Sequence, residues 1–124
     1  MADAKPTPAQ LCGQLYATLE ALCAIGTGTG NSKLAELQPR VEVQRSPSKK
    51  IPGLLQEAAE HLLRARARGR DHVKAADELF RSIPDFLPAN GRHLHSLDAA
   101  QVTQFREGYH QQMVKYAPTH TLQK

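Results

Sequence analysis

Apolar residues recur along this chain at steps of three and four, and nowhere do they alternate long enough to mark a strand. Leu11, Leu15, Leu19, Leu22 and Ile25 form one helical stripe, and Cys12, Tyr16 and Cys23 lie beside it and widen the buried face. Thr7 precedes this helix as N-cap, Pro8 takes the first helical position, and Gly26 ends it. The run Gly26-Thr27-Gly28-Thr29-Gly30 then reads as a flexible loop. A short helix is expected over residues 33–38, stopped by Pro39. Val41 and Val43 suggest a brief extended segment, but two valines do not make a sheet.

Either Ser46, with Pro47 following, or Ser48 caps a third helix. Its apolar face is Ile51, Leu54, Leu55, Ala58, Ala59 and Leu62; Pro52 falls in its first turns, and Gly69 stops it. Asp71 is expected to cap a fourth helix with the stripe Val73, Ala76, Phe80 and Ile83. Pro84 and Pro88 bracket an irregular turn. Ser96 is expected to cap a fifth helix, on which Val102, Phe105, Tyr109, Met113 and Tyr116 share a face, and Pro118 to end it. The pattern predicts an all-α fold: a single-domain bundle of four to five helices over residues 8–117, with a flexible N-terminus at 1–7 and a flexible tail at 118–124.

The 124 residues suffice for one domain with one modest core. Trp is absent and only three Phe and three Tyr are present, so that core is mainly aliphatic, which suits helix packing. The formal charge of +4 favours an anionic partner without identifying one. Cys12 and Cys23 on one helix are about 16 Å apart along the axis, too far for a disulfide. Free thiols fit a reducing compartment, and no apolar run spans a bilayer, so a cytoplasmic protein is expected, away from membranes.

Catalytic and metal chemistry find little support. The Gly-rich loop follows a helix rather than a strand and lacks the Gly-Lys-Ser/Thr ending of a phosphate loop. His93 and His95 sit in a loop with only Asp98 nearby, short of the three or four ligands zinc needs. No Ser-His-Asp or Cys-His arrangement stands out, so no enzyme and no cofactor is expected. The aromatic stripe Phe105, Tyr109 and Tyr116 reads as core.

The basic residues carry more. Arg64, Arg66, Arg68 and Arg70 alternate at the end of the third helix. By helical geometry Arg64 and Arg68 share a face with Lys50 and His61, pointing away from the apolar stripe, and Arg66 and Arg70 point to the other side. Glu57 and Glu60 lie on the first face, at the i,i+4 spacing that lets them pair with His61 or Arg64. Two readings stay open: a solvated, partly neutralised face, or a surface that contacts phosphates without reading sequence. The candidates for nucleic-acid contact are Arg45, Lys49, Lys50, Arg64, Arg66, Arg68, Arg70, Lys74, Arg81, Arg92 and Arg106. No aromatic residues interleave with them, so base stacking is not indicated.

The end of the fifth helix, Phe105-Arg106-Glu107-Gly108-Tyr109-His110-Gln111-Gln112, resembles the Gly-Tyr-Tyr-His-Gln motif near the C-terminus of the large subunit of type I-C CRISPR Cascade, with the doubled Tyr single here. The segment Gly13-Gln14-Leu15-Tyr16-Ala17-Thr18-Leu19-Glu20 is similar to that family's Gly-Arg-Leu-Phe-Ala-Val-Leu-Glu. Ser46-Pro47, Ile51-Pro52-Gly53-Leu54-Leu55 and His61-Leu62 follow in the family's order, as do Leu87-Pro88 and Ser96-Leu97; the tract between Ile25 and Ser46 does not match. In that family the same C-terminal part is also made separately as the small subunit.

The resemblance implies a small helical subunit without catalytic activity. Its implied partners are the Cascade backbone and large subunits, another copy of itself, and the guide RNA and target DNA of the R-loop. Guide pairing reads sequence in such complexes, so backbone contacts suffice for this subunit. Two alternatives stand beside it. A small DNA-binding regulator of a mobile element would need a helix-turn-helix with a polar second helix, and no short turn of that character is expected. A helical adaptor would have no nucleic-acid role.

Overall fold

In a computed structural model, which describes residues 6–27, 34, 36–88 and 93–121, the chain folds around its first helix. That helix, α1 (Pro8–Thr27), starts at a reciprocal cap. The Gln10 amide donates to Thr7 Oγ1 at 3.2 Å, and the Thr7 amide donates to Gln10 Oε1 at 2.8 Å. From Leu15 to Gly26 every residue of α1 is buried. The expected stripe is therefore only part of its buried surface. Ala17, Ala21, Ala24, Thr18 and Glu20 are enclosed as well. A helix buried on every side must be covered by several neighbours, and three of the later helices supply them.

Four further helices complete the fold among the described residues: α2 (Leu37–Arg45), α3 (Pro47–Arg66), α4 (Arg70–Ser82) and α5 (Ala99–Thr121), with a 3-10 turn at Ile83–Phe86. The described residues contain no strand, so the all-α bundle holds. The α1–α5 pair is parallel. Thr7 bonds Gln104, Gln10 bonds Glu107, and Thr18 bonds Tyr116, so the two helices advance together. α3 begins where Ser48 donates to the Leu94 carbonyl, just before α5, and Arg68, just past its end, bonds Gly26 at the end of α1.

Five boundaries differ from the sequence expectation. The helix expected over residues 33–38 instead occupies Leu37–Arg45 and absorbs Val41 and Val43. Pro39 falls in its first turn, where a missing N–H costs no intrahelical bond. Gly69, not Asp71, precedes α4: at φ 130 it holds a backbone shape that side chains avoid, and Asp71 sits in the first turn, where its charge suits the helix dipole. Asp98, not Ser96, caps α5, through Gln101 N–H to Asp98 Oδ1 at 2.8 Å and Asp98 N–H to Gln101 Oε1 at 3.0 Å. The Asp-x-x-Gln spacing allows this exchange, and Ser96 has no such partner three residues on. α5 also runs past Pro118 to Thr121, because proline's fixed φ is helical and near an end only one bond is lost. On α4 the buried apolar residues are Ala76 and Leu79, and Phe80 is only half-buried.

α1 and α5 pack tightly at two glycines. A Cβ on Gly108 would land on the Gln10 carbonyl, and one on Gly13 would land on the Phe105 carbonyl. α1 and α5 thus touch backbone to backbone, nearer than the roughly 8–10 Å usual for helices spaced by side chains. Phe105 is fully buried beside this crossing, and its ring lies 5.8 Å from that of Tyr16.

Candidate nucleic-acid interface

Ten of the eleven candidate cations are described, and all ten are exposed. Arg92 lies outside the described residues. The others fall into groups set by the helix ends. Arg64, Arg66, Arg68, Arg70 and Lys74 surround the turn between α3 and α4. Arg45, Lys49 and Lys50 surround the junction of α2 and α3, where Ser46 alone separates the two helices. From Lys50 to Arg64 the helix advances about 21 Å, so one face of α3 carries two separate cationic ends rather than one stripe.

Arg106 sits on α5 beside Glu107, whose carboxylate accepts from Gln10 at 3.3 Å. That places it at the start of α1, about 24 Å along the axis from Gly26. Arg81 is tied to Asp77 at 3.1 Å, one turn back on α4. Lys50 lies 3.8 Å from Glu42, an exposed pair that partly neutralises its end of the molecule without adding much stability.

Arg68 belongs to the fold. Its Nε donates to the Gly26 carbonyl at 3.1 Å. A cation here meets a terminal carbonyl of α1 at the negative end of its dipole. His61, expected on the outward face with Lys50, is also turned inward: it is half-buried and its Nδ1 is enclosed without a hydrogen-bond partner. The reason is Gly26, whose missing side chain lets α1 press on the His61 backbone; a Cβ there would lie 3.0 Å from it. The upper part of the face expected to point outward is therefore a helix contact.

The turn from α3 to α4 is short, residues 67–69. It falls where Gly69 is expected to stop the third helix, and Arg70, expected at the end of that helix, opens α4 instead. Arg70 and Lys74 emerge exposed on the first turns of α4, with Asp71 the carboxylate among them.

The Gly-Tyr-His-Gln run does internal work. Gly108 makes the close crossing. Tyr109 is 6% exposed and its hydroxyl donates to Glu20 at 2.7 Å. Gln112 is buried and donates to the Tyr116 hydroxyl at 2.8 Å, which in turn meets Thr18 at 2.7 Å. His110 and Gln111 are exposed, and the His110 ring meets the edge of Tyr109 at 5.3 Å.

Two residues not singled out from the sequence complete a buried polar cluster. Glu20 is 4% exposed, and the Arg40 guanidinium carbon stands 4.4 Å from the centroid of the Tyr109 ring. Tyr16 joins them, its hydroxyl donating to the Leu34 carbonyl at 2.6 Å. Burial, followed by the Glu20 hydrogen bond and charge, raises the Tyr109 hydroxyl well above its ordinary range, against the opposing pull of Arg40. Burial does the same to Tyr16. The signal for Glu20 was present: it is the one charged residue between Leu15 and Ile25. Arg40, in a generally basic stretch, had none. Tyr109→Phe removes a donor from a buried carboxylate and should lower stability by about 1–3 kcal/mol in denaturant melts, with helical content unchanged.

Both cysteines are free and buried on α1. Burial pushes the Cys12 thiol up to about 12, so the nucleophilic thiolate is scarce at neutral pH. Cys12 and Cys23 should therefore react with a thiol reagent at pH 8 only after denaturation. Rapid labelling of the native chain would show α1 less enclosed than described. Among the described residues no three His, Cys, Asp or Glu side chains converge as metal ligands, and no helix is long and apolar enough to cross a membrane. No family model, no curated protein and no solved structure matches this chain.

Proposed function

We propose that this chain is a non-catalytic small subunit of a CRISPR Cascade complex, cytoplasmic, and that it steadies the complex and its R-loop by contacts to nucleic-acid backbone. The observation that carries the nucleic-acid part is the α3–α4 turn, where Arg64, Arg66, Arg70 and Lys74 are all exposed around Arg68, which bonds Gly26. Cations that face solvent without aromatic neighbours suit phosphates and not bases. The helical body supports the same reading. The motif likeness at 13–20 and 105–112 supplies the choice of complex. Its Gly13, Gly108 and Tyr109 fall on packing positions, so what resembles the family is the α1–α5 core.

The test is co-expression with a type I guide-RNA complex that lacks its small subunit. The chain should co-purify with the backbone and large subunits and raise the affinity for matched target DNA. Failure to associate, with the chain folded, overturns the reading.

The short α3–α4 turn favours a second reading, a DNA-binding regulator that uses α4 as its reading helix. Isolated chain and random-sequence DNA separate the two. The small-subunit reading expects weak binding with no preferred site, and a regulator prefers one site by about 1,000-fold or more. An adaptor would bind no DNA even at low salt.

A further inference from the structure

α2 is held differently from the other helices. Its backbone packs principally against α3, and no side chain caps its start. Among its described apolar side chains only Val43 is fully buried. One buried valine does not offset the entropy of ordering nine residues. Besides the exposed Lys50–Glu42 pair, the described contacts that hold α2 lie toward its two ends. At the far end the Leu97 amide donates to the Gln44 carbonyl at 3.1 Å, and Ser46 alone links α2 to α3. At the near end Arg40 enters the bundle and lies on the face of Tyr109, with its Nε enclosed. Tyr109 in turn holds Glu20, and Tyr16 packs 5.9 Å from Tyr109 and bonds the Leu34 carbonyl just before α2.

We propose that α2 is a latch: hinged at Ser46, bolted by Arg40 in a seat made by Tyr16, Glu20 and Tyr109, and able to open as a unit while α1, α3 and α5 stay packed. The seat is built on the α1–α5 pair, whose own crossing does not involve α2. Opening therefore lifts a cation off the Tyr109 ring, whose hydroxyl bonds the buried Glu20 carboxylate, and bares that ring. This inference does not depend on the Cascade reading.

Hydrogen exchange read by mass spectrometry on the whole chain tests it. The amides of residues 41–45 are bonded within α2. In the wild type they should exchange at least tenfold faster than buried amides of α1, with little dependence on denaturant. Arg40→Lys keeps the charge but loses the flat stacking group, and should speed α2 a further tenfold with α1 unchanged. A second variant, Arg40→Met with Glu20→Gln, leaves no lone buried charge and should act on α2 in the same selective way. The proposal is overturned if wild-type α2 and α1 share one rate and one denaturant dependence. It is equally overturned if both variants speed α1 and α5 as much as α2.

Discussion

Gly108→Ala costs this protein about 3 kcal/mol or more, although alanine is the better helix former. The reason is local. The new methyl would fall on the Gln10 carbonyl and close to Gln10 Cα at 3.1 Å, and both are backbone. A flexible side chain can move aside, but a helix backbone moves only as a whole. α5 must shift away from α1, and Phe105 and Tyr109 lose their packing on Tyr16. Gly13→Ala meets the Phe105 carbonyl and should behave alike. The control is Gly53→Ala on α3, where nothing lies within 4 Å. There alanine should add about 0.5–1 kcal/mol by helix propensity alone. Urea melts of the three variants give the comparison. A Gly108→Ala protein as stable as Gly53→Ala would mean that α1 and α5 do not cross in backbone contact.

Those glycines show where sequence reading stops. Each lies inside a helical pattern and reads as a small loss of propensity. Nothing local says that one answers to residue 10 and the other to residue 105. Helix existence was legible for the opposite reason: the apolar spacing of α1, α3 and α5 is a local quantity. The ends were legible where a cap is a pair in sequence. Thr7 with Gln10 and Asp98 with Gln101 exchange the same two bonds. Ser96 reads as a cap on residue type alone, whereas Asp98 has its partner Gln101 three residues on. Proline misled twice, at Pro39 and Pro118, since both sit near helix ends where their cost is small.

The candidate interface was legible in composition and not in position. Every described cation on the candidate list is exposed, yet helical angle alone put Lys50, Arg64 and Arg68 on one working face. Helical angle says nothing about which neighbour a face meets. The neighbour is Gly26, and it takes Arg68 and His61 for the fold. Glu20 and Arg40 show the same limit from the other side. Charged residues read as surface, yet Glu20 is buried because α1 is covered on every side, and Arg40 is half-buried because α2 carries it onto the Tyr109 ring.

Reversing Arg64, Arg66 and Arg70 together to Glu should leave folding intact and weaken target-DNA binding by the assembled complex about 100-fold at low salt. All three are exposed, and Arg68 is left out because it bonds Gly26. If each cation meets one phosphate, the slope of log K against log salt should flatten by about three. The loss should be equal for every matched target, since phosphates carry no sequence. Net charge alone can also weaken DNA binding, so the comparison variant reverses Arg45, Lys49 and Arg106, which changes the charge equally at the other end. Weak losses there and strong losses at the α3–α4 turn place the DNA on the turn. The opposite ranking moves it to the α2–α3 junction and the start of α5. Equal affinity and equal slope for both variants and the wild type would remove backbone contact from this subunit's role and leave the adaptor reading standing.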